Sequence, residues 1–199
     1  MNTTSNQPSW AKSLQKSHSS NEQLEFWRYV SVAYLHSQTN FPENEMIKFR
    51  SFHHKGNSSY LVFSLDKRSH LYRDLEKSAQ VQFCWFFPLS REKYRIKSVL
   101  STFHKEKYAE GSDKQPVLSF EEFEECWNKY VDKEEKKLFA CVHPDTKTNE
   151  SNAKKIDDIN DFNTPDLNEI SPNFAIILAD AIEGNIFCYL KNFINQIIS

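Results

Sequence analysis

The chain has 199 residues, enough to bury a hydrophobic core, and we interpret residues 1–199 as a single domain. Its net charge of −2 provides no overall attraction for nucleic acid or an anionic membrane, so neither is expected as a partner. Three glycines occur, at Gly56, Gly111 and Gly184, and none has a glycine neighbour. Phosphate loops and dinucleotide fingerprints need clustered glycines, so both kinds of site are excluded.

The cysteines do not indicate a metal site. Four are scattered along the chain without a CxxC pair, at Cys84, Cys126, Cys141 and Cys188. This spacing argues against a cysteine-based zinc site, and we expect no metal centre. No stretch has the apolar length of a signal peptide or a membrane span. We therefore expect a reduced, cytoplasmic protein.

The N-terminal quarter predicts two helices followed by two strands. Pro8-Ser9-Trp10 opens the first helix, and a second helix is expected to begin near Asn21, whose side chain is a suitable N-cap. The strands are predicted over Tyr29–Leu35 and residues 46–52, with a turn region over residues 38–44 between them.

The second predicted strand carries two cations on one face. Lys48 and Arg50 are two residues apart, so their side chains point the same way. A solvated face of an antiparallel sheet is the commoner reason for such a pair. The alternative is a pair of cations directed at an anion.

The central stretch, residues 60–100, predicts the order strand, turn, helix, hairpin. A buried strand over residues 60–65 leads into the charged turn Asp66-Lys67-Arg68-Ser69. Leu71, Leu75 and Ala79 recur every four residues, which is typical of one helix face. Two aromatic strands follow, over residues 80–87 and 93–103.

The C-terminal half predicts two helices, an insertion and a closing hairpin. Ser119 and Glu122 form a capping box that starts the first helix, and a helical segment follows over residues 134–139. Residues 145–173 are rich in polar side chains and are interpreted as an exposed insertion. Two apolar strands, residues 174–181 and 185–189, are expected to pair around Gly184. The whole pattern predicts a mainly β fold, a small antiparallel barrel with peripheral helices.

Five segments, in this order, resemble the pyridoxamine 5'-phosphate oxidase-like, FMN-binding split-barrel family, and in particular its short oxidase-like branch that opens with a Pro/Trp helix. No single segment is specific, but five in register are, and together they cover nearly the whole chain. They are Pro8-Ser9-Trp10, residues 47–52, residues 61–69, residues 85–87 with 91–96, and Trp127 through Phe139-Ala140 to His143-Pro144.

The resemblance implies a homodimer with FMN bound at the subunit interface and a small-molecule substrate. Members of the family hold the FMN phosphate with basic and hydroxyl side chains, in agreement with the scarcity of glycine here. By resemblance, Arg50 reaches the flavin or its phosphate, Ser64 and Leu65 line the flavin, and Lys93 stands where a cofactor-contacting Gln is usual. The turn before the third helix supplies the remaining predicted ligands, Arg68, Ser69 and His70. The resemblance names no catalytic residue.

Several positions depart from the family pattern. Glu45 replaces an Arg, His70-Leu71 replaces a basic pair, and the C-terminal Arg-x-His-Asp-Arg substrate segment is absent. Oxidation of pyridoxamine 5'-phosphate itself is therefore not expected. Two hypotheses stay open: an FMN-dependent oxidoreductase with a different small-molecule substrate, or a catalytically inactive split-barrel binding or structural protein with a degenerate flavin site.

Overall fold

The computed structural model describes residues 9–24, 26–109, 116–140 and 168–188. Within these ranges the chain forms six strands and five helices. In chain order they are α1 (Ser9–Ser19), β1 (Tyr29–Leu35), β2 (Pro42–Lys55), β3 (Ser58–Asp66), α2 (His70–Leu75), β4 (Gln80–Phe87), β5 (Glu92–His104), α3 (Lys105–Ala109), α4 (Phe120–Tyr130), α5 (Lys133–Ala140) and β6 (Phe174–Cys188).

The strands close into a barrel in the order β1-β2-β3-β6-β5-β4. The pairs β1–β2, β2–β3, β1–β4 and β4–β5 are antiparallel. The predicted fold class, a mainly antiparallel β-barrel with peripheral helices, is confirmed. The ladder between β1 and β4 is short and comprises three pairs, from Ser31–Cys84 to Ala33–Gln82. We call this junction of β1 and β4 the seam.

Alternation along the strands sorts side chains between the barrel interior and its outer face. In β1 the inward-facing residues Val30, Val32 and Tyr34 are buried between more exposed neighbours. Aromatic side chains fill much of the interior, and the rings of Phe63 and Phe83 stack with their centroids 4.8 Å apart. Burying a side chain of this size contributes about 2–3 kcal/mol, so these rings are a large part of the barrel's stability.

The chain divides into two compact units. The first comprises residues 1–64, 74–102 and 177–199, and the second comprises residues 65–73 and 103–176. In the second unit, α4 begins at the predicted capping box: the Ser119 hydroxyl accepts from the Glu122 backbone N–H, and the Glu122 carboxylate accepts from that of Ser119. Whether the chain is one domain stays a prediction.

The prediction of a helix that begins near Asn21 is wrong. Residues 20–23 form turns, and Asn21 is completely buried. Its Nδ2 donates to the carbonyl of Ser17, and its Oδ1 accepts from the backbone N–H of Leu89. Asn21 therefore ends α1 and ties it to the β4–β5 turn, a distant partner that no local pattern reveals.

The prediction of a closing hairpin is also wrong. Residues 174–188 form one continuous strand, β6, and the expected turn at Gly184 lies inside it. The Trp10 side chain packs against the strand at this glycine, where a Cβ would lie at ordinary van der Waals distance, 3.5 Å, from Cγ of Trp10. Similarly, β2 begins at Pro42, inside the expected turn region, because residues 42–48 pair with the whole of β1.

Most of the predicted insertion, up to residue 167, and the apolar tail from residue 189 lie outside the described residues. Among the described helices, none combines the length and apolarity needed to cross a bilayer. Within the same ranges, no three His, Cys, Asp or Glu side chains are grouped in a way that would hold a metal ion.

Candidate functional site

Arg50 occupies a β-bulge in the second strand. Phe49 pairs with Phe63 and Ser51 pairs with Val62, so Arg50 is the extra residue between them. Its side chain is buried, and its Nε donates to the hydroxyl of Ser64 over 2.7 Å. The bulge thus sets a guanidinium beside a hydroxyl, two of the predicted cofactor ligands, at nearly buried positions.

Strand register places the outward-facing neighbours of Ser64 in one row. Ser64 pairs with Lys48, and Lys48 pairs with Tyr29. Across the seam, Phe86 pairs with Lys93. Tyr29 and Phe86 each lie two residues beyond the last β1–β4 pair, Ser31–Cys84, on the outward faces of their strands. We call these five residues the outer row: Ser64, Lys48, Tyr29, Phe86 and Lys93. It has a hydroxyl and Arg50 at one end, two aromatic rings in the middle and a lysine at the other.

The aromatic members of the outer row are exposed. Tyr29 is 39% exposed and Phe86 51%, and the Lys48 ammonium lies 5.9 Å from the centroid of the Tyr29 ring. Neither ring was predicted to contact the cofactor, although each occupies an outward position of a strand whose alternate residues are buried.

Lys93 lies at the opposite end of the outer row from Arg50 and lines its own cavity. This cavity of about 500 Å³ is formed by Phe86, Pro88, Arg91 and Lys93. Arg91, in the β4–β5 turn, has a positive φ of 50°, a backbone conformation that non-glycine residues seldom adopt. Two basic side chains and one aromatic ring therefore meet at this turn.

Groups of the second unit bind the Arg68 guanidinium. Its Nε and Nη2 bind both carboxylate oxygens of Asp66, at 2.9 and 2.6 Å. Nη2 also donates to the carbonyls of Leu138 and Phe139 at the end of α5. This fork holds the turn against α5, and the cofactor role of Arg68 stays a prediction.

Ser69 is the N-cap of α2. Its hydroxyl accepts from the backbone N–H of Tyr72 over 3.2 Å, and the side chain is 4% exposed. His70 is exposed and contacts Arg73 at 3.0 Å. Leu65 is buried and, by alternation, lies on the opposite strand face from Ser64. The predicted ligands thus fall into two groups: Arg50, Ser64 and Lys93 in the first unit, and Leu65, Arg68, Ser69 and His70 in the second.

The second unit holds a titratable cluster that the sequence analysis missed. The carboxylate of Glu106 accepts from the Lys67 ammonium at 2.8 Å and contacts His104 Nδ1 at 2.7 Å. The hydrogen bond from Lys67 is the main cause that lowers the pKa of Glu106 to about 2. The spacing of His104 and Glu106 was visible in sequence, but Lys67 joins them only through folding.

Comparison with known proteins gives one family match. Residues 7–104 match the family described as "Pyridoxamine 5'-phosphate oxidase, FMN-binding domain". This range contains α1, the five strands β1–β5 and all seven predicted cofactor-binding residues. No curated protein matches the sequence at a significant level.

Solved structures share the fold. A pyridoxamine 5'-phosphate oxidase-related, FMN binding protein from Nostoc punctiforme PCC 73102 superposes with a TM-score of 0.71 at 21% identity, covering 90% of this chain and 83% of that one. PhzG from Burkholderia lata 383, solved with tetrahydrophenazine-1-carboxylic acid, gives a TM-score of 0.64 at 12% identity, covering 91% and 81%. At these identities the likeness is one of fold.

Proposed function

Because the chain belongs, through residues 7–104, to the family of pyridoxamine 5'-phosphate oxidase FMN-binding domains, we propose that it binds FMN and grips the phosphate with Arg50 and Ser64. The observation that carries this proposal is the 2.7 Å bond between the two side chains at a bulge on the outer barrel face. Bulges often re-aim a side chain next to a binding site.

The residues present fit an FMN molecule. Its phosphate needs strong donors, and a guanidinium beside a hydroxyl supplies charge-assisted hydrogen bonds without a glycine loop. Its ring system needs flat apolar contact, and Tyr29 and Phe86 offer exposed aromatic surface in the same row. The outer row therefore combines both kinds of contact that the cofactor requires.

We propose further that the protein is an oxidoreductase acting on a small molecule. When bound, FMN supplies the electron-transfer chemistry, and the protein binds and orients it. The fold-level relatives include a protein described as FMN binding, which is consistent with this activity. The free thiol of Cys84 fits a reducing, cytoplasmic location.

The separation of Arg50 and Lys93 supports a homodimer. Ser64 lies on β3 and Lys93 on β5, and β6 separates these two strands in the closed barrel, so the two side chains point outward in different directions. Lys93 also lines a cavity to which Arg50 and Ser64 do not contribute. If both ends serve one cofactor, they come from two copies of the chain, with Arg50 of one subunit and Lys93 of the other.

A second candidate is a binding or structural protein with a degenerate flavin site. It is favoured by Arg68, whose guanidinium is bound to Asp66, and by Ser69, whose hydroxyl caps α2. If these two residues only stabilise the fold, two of the phosphate ligands that the resemblance predicts are missing.

Titration with FMN and riboflavin, followed by quenching of flavin fluorescence, tests the proposal. Riboflavin lacks the phosphate, so the ratio of the two affinities isolates the phosphate contacts. We expect the protein to prefer FMN, and Arg50→Lys to weaken FMN binding about tenfold or more while riboflavin binding is unchanged, because one charge-assisted bond is worth about 1.5–3 kcal/mol.

Two variants complete the titration. Ser64→Ala should reduce the preference for FMN in the same direction as Arg50→Lys. The control Arg95→Lys alters an exposed arginine on the outer face of β5 and should leave both affinities unchanged. A protein that binds neither flavin, even at high concentration, would support the second candidate.

A further inference from the structure

The seam between β1 and β4 opens toward one end of the barrel. Beyond the Ala33–Gln82 pair, Tyr34 and Leu35 of β1 continue to pair with β2, while Gln80 and Val81 of β4 continue to pair with β5. The two strands therefore separate while each stays in its own ladder. The opening is a property of the barrel itself, set by two well-formed neighbouring ladders.

A cavity of about 400 Å³ occupies this opening, and we call it the seam cavity. Its volume is in the range of small-molecule sites. Both inward-facing and outward-facing residues line it, as expected where two strands part. The lining comprises Ala33, Tyr34, Leu35, Pro42, Gln80, Val81, Gln82, Lys97, Ser98 and Ile182.

Ser98 is an anomaly within this cavity. It follows Tyr94 and Ile96 along the inward face of β5 and is 1% exposed. Its hydroxyl oxygen has almost no accessible surface and forms no hydrogen bond with any described atom, so it meets a ligand in the cavity by rotation of the side chain. A buried polar group without a partner is costly, so a partner from outside the chain is the natural complement.

The charged groups around the seam cavity are already matched. The Lys97 ammonium binds the Glu183 carboxylate at 2.9 Å, and the Tyr34 hydroxyl donates to Glu43 at 3.1 Å. The remaining polar lining consists of uncharged amides, Gln80 and Gln82, and the walls are mostly aliphatic. No cation is left to attract an anion such as a phosphate among these lining residues.

We propose that the seam cavity binds a small uncharged molecule that has an apolar body and one hydroxyl or carbonyl group, which forms a hydrogen bond with the Ser98 hydroxyl. This site uses none of the residues assigned to FMN. It is a second ligand site on the barrel, distinct in its residues and in the charge of what it accepts.

Three one-ring probes of similar shape test the proposal: benzyl alcohol, toluene and benzoate. Their binding to the full-length protein is measured by titration of backbone amide NMR signals, with and without saturating FMN. We expect benzyl alcohol to bind about fivefold more tightly than toluene, as one hydrogen bond would give. Benzoate should bind most weakly, and the order should be the same whether or not FMN is present.

Ser98→Ala should lower the affinity for benzyl alcohol to that for toluene and leave toluene unchanged. Ala33→Phe, which fills the cavity, should abolish binding of all three probes. Ser101→Ala, at an exposed position of the same strand, is the matched control and should change nothing. Equal affinities of benzyl alcohol and toluene, retention of the difference in Ser98→Ala, or occupation by water alone would overturn the proposal. Each of these outcomes is independent of whether FMN binds.

Discussion

At the scale of single residues, His18 shows how burial changes chemistry. Its ring lies edge-on to Trp27, Phe49 and Phe52, with centroids 4.0, 5.2 and 5.6 Å away. Its Nε2 is buried and forms no hydrogen bond with any described atom. Burial first, and the Arg28 guanidinium second, lower the pKa of His18 to about 4. The folded protein thus holds this histidine neutral where an unfolded chain would protonate it.

This predicts a loss of stability in mild acid. The pKa of a histidine is about 6.5 in the unfolded chain, so protonation of His18 has little effect on the free energy of unfolding above that pH. As the pH falls from about 6.5 to about 4, the unfolded state takes up a proton that the folded state refuses. The free energy of unfolding should drop by about 3 kcal/mol over this window and level off below it.

Denaturant unfolding of the wild type and His18→Phe between pH 7 and pH 4 measures the effect. His18→Phe keeps an aromatic ring and removes the titration, so the variant should lose less stability than the wild type as the pH falls. His70→Gln changes an exposed histidine and should follow the wild type. Identical pH profiles for the wild type and His18→Phe would contradict the assignment.

At the scale of elements, Ser69 in the turn from β3 into α2 has two suggested roles. The Ser69 hydroxyl caps α2 through the Tyr72 N–H, and the resemblance places it at the FMN phosphate. A serine hydroxyl can accept one hydrogen bond and donate another, so both roles are chemically compatible. Only a substitution that keeps the cap and changes the charge separates them.

Ser69→Asp is that substitution. Aspartate caps a helix as well as serine does, so the free energy of unfolding should stay within about 0.5 kcal/mol of the wild type. The added negative charge should repel a phosphate and weaken FMN binding at least tenfold, with riboflavin unaffected. Ser69→Ala, the control, should lose about 1 kcal/mol of stability through the missing cap. If Ser69→Asp binds FMN like the wild type, Ser69 serves only the helix.

At the scale of the whole molecule, the outer face of β1, β2 and β4 exposes large apolar side chains to solvent. Met46 is 56% exposed and Phe86 51%, with Tyr29 in the strand between them. Phe26, 71% exposed, has its ring centroid 6.3 Å from that of Tyr29. Exposed apolar side chains grouped in this way are typical of interfaces, and the proposed homodimer would cover them.

Met46→Glu should therefore separate the proposed dimer. The interface would then bury the same added charge from both subunits, so the variant should be monomeric at micromolar concentration by light scattering, where the wild type is dimeric. Leu138→Glu places the same charge at a residue that is 64% exposed on α5 and should stay dimeric. A monomeric wild type would refute the interface.

The sequence by itself determined those features whose physical causes act within a few residues. The strand over Gln80–Phe87 and the capping box at Ser119 have the predicted bounds, because alternation and capping depend only on near neighbours. The choice of a barrel also followed, since the order of strand patterns restricts how sheets can close.

Only the tertiary structure decided which distant groups meet. It turned Asn21 inward toward Leu89, joined two expected strands into β6 beside Trp10, and brought Arg68 to the end of α5. It also created the bulge that sets Arg50 beside Ser64, which depends on the register of β2 against β3. Register and closure are properties of strand pairs, and a pairing energy between residues far apart in the chain leaves no local trace in either partner.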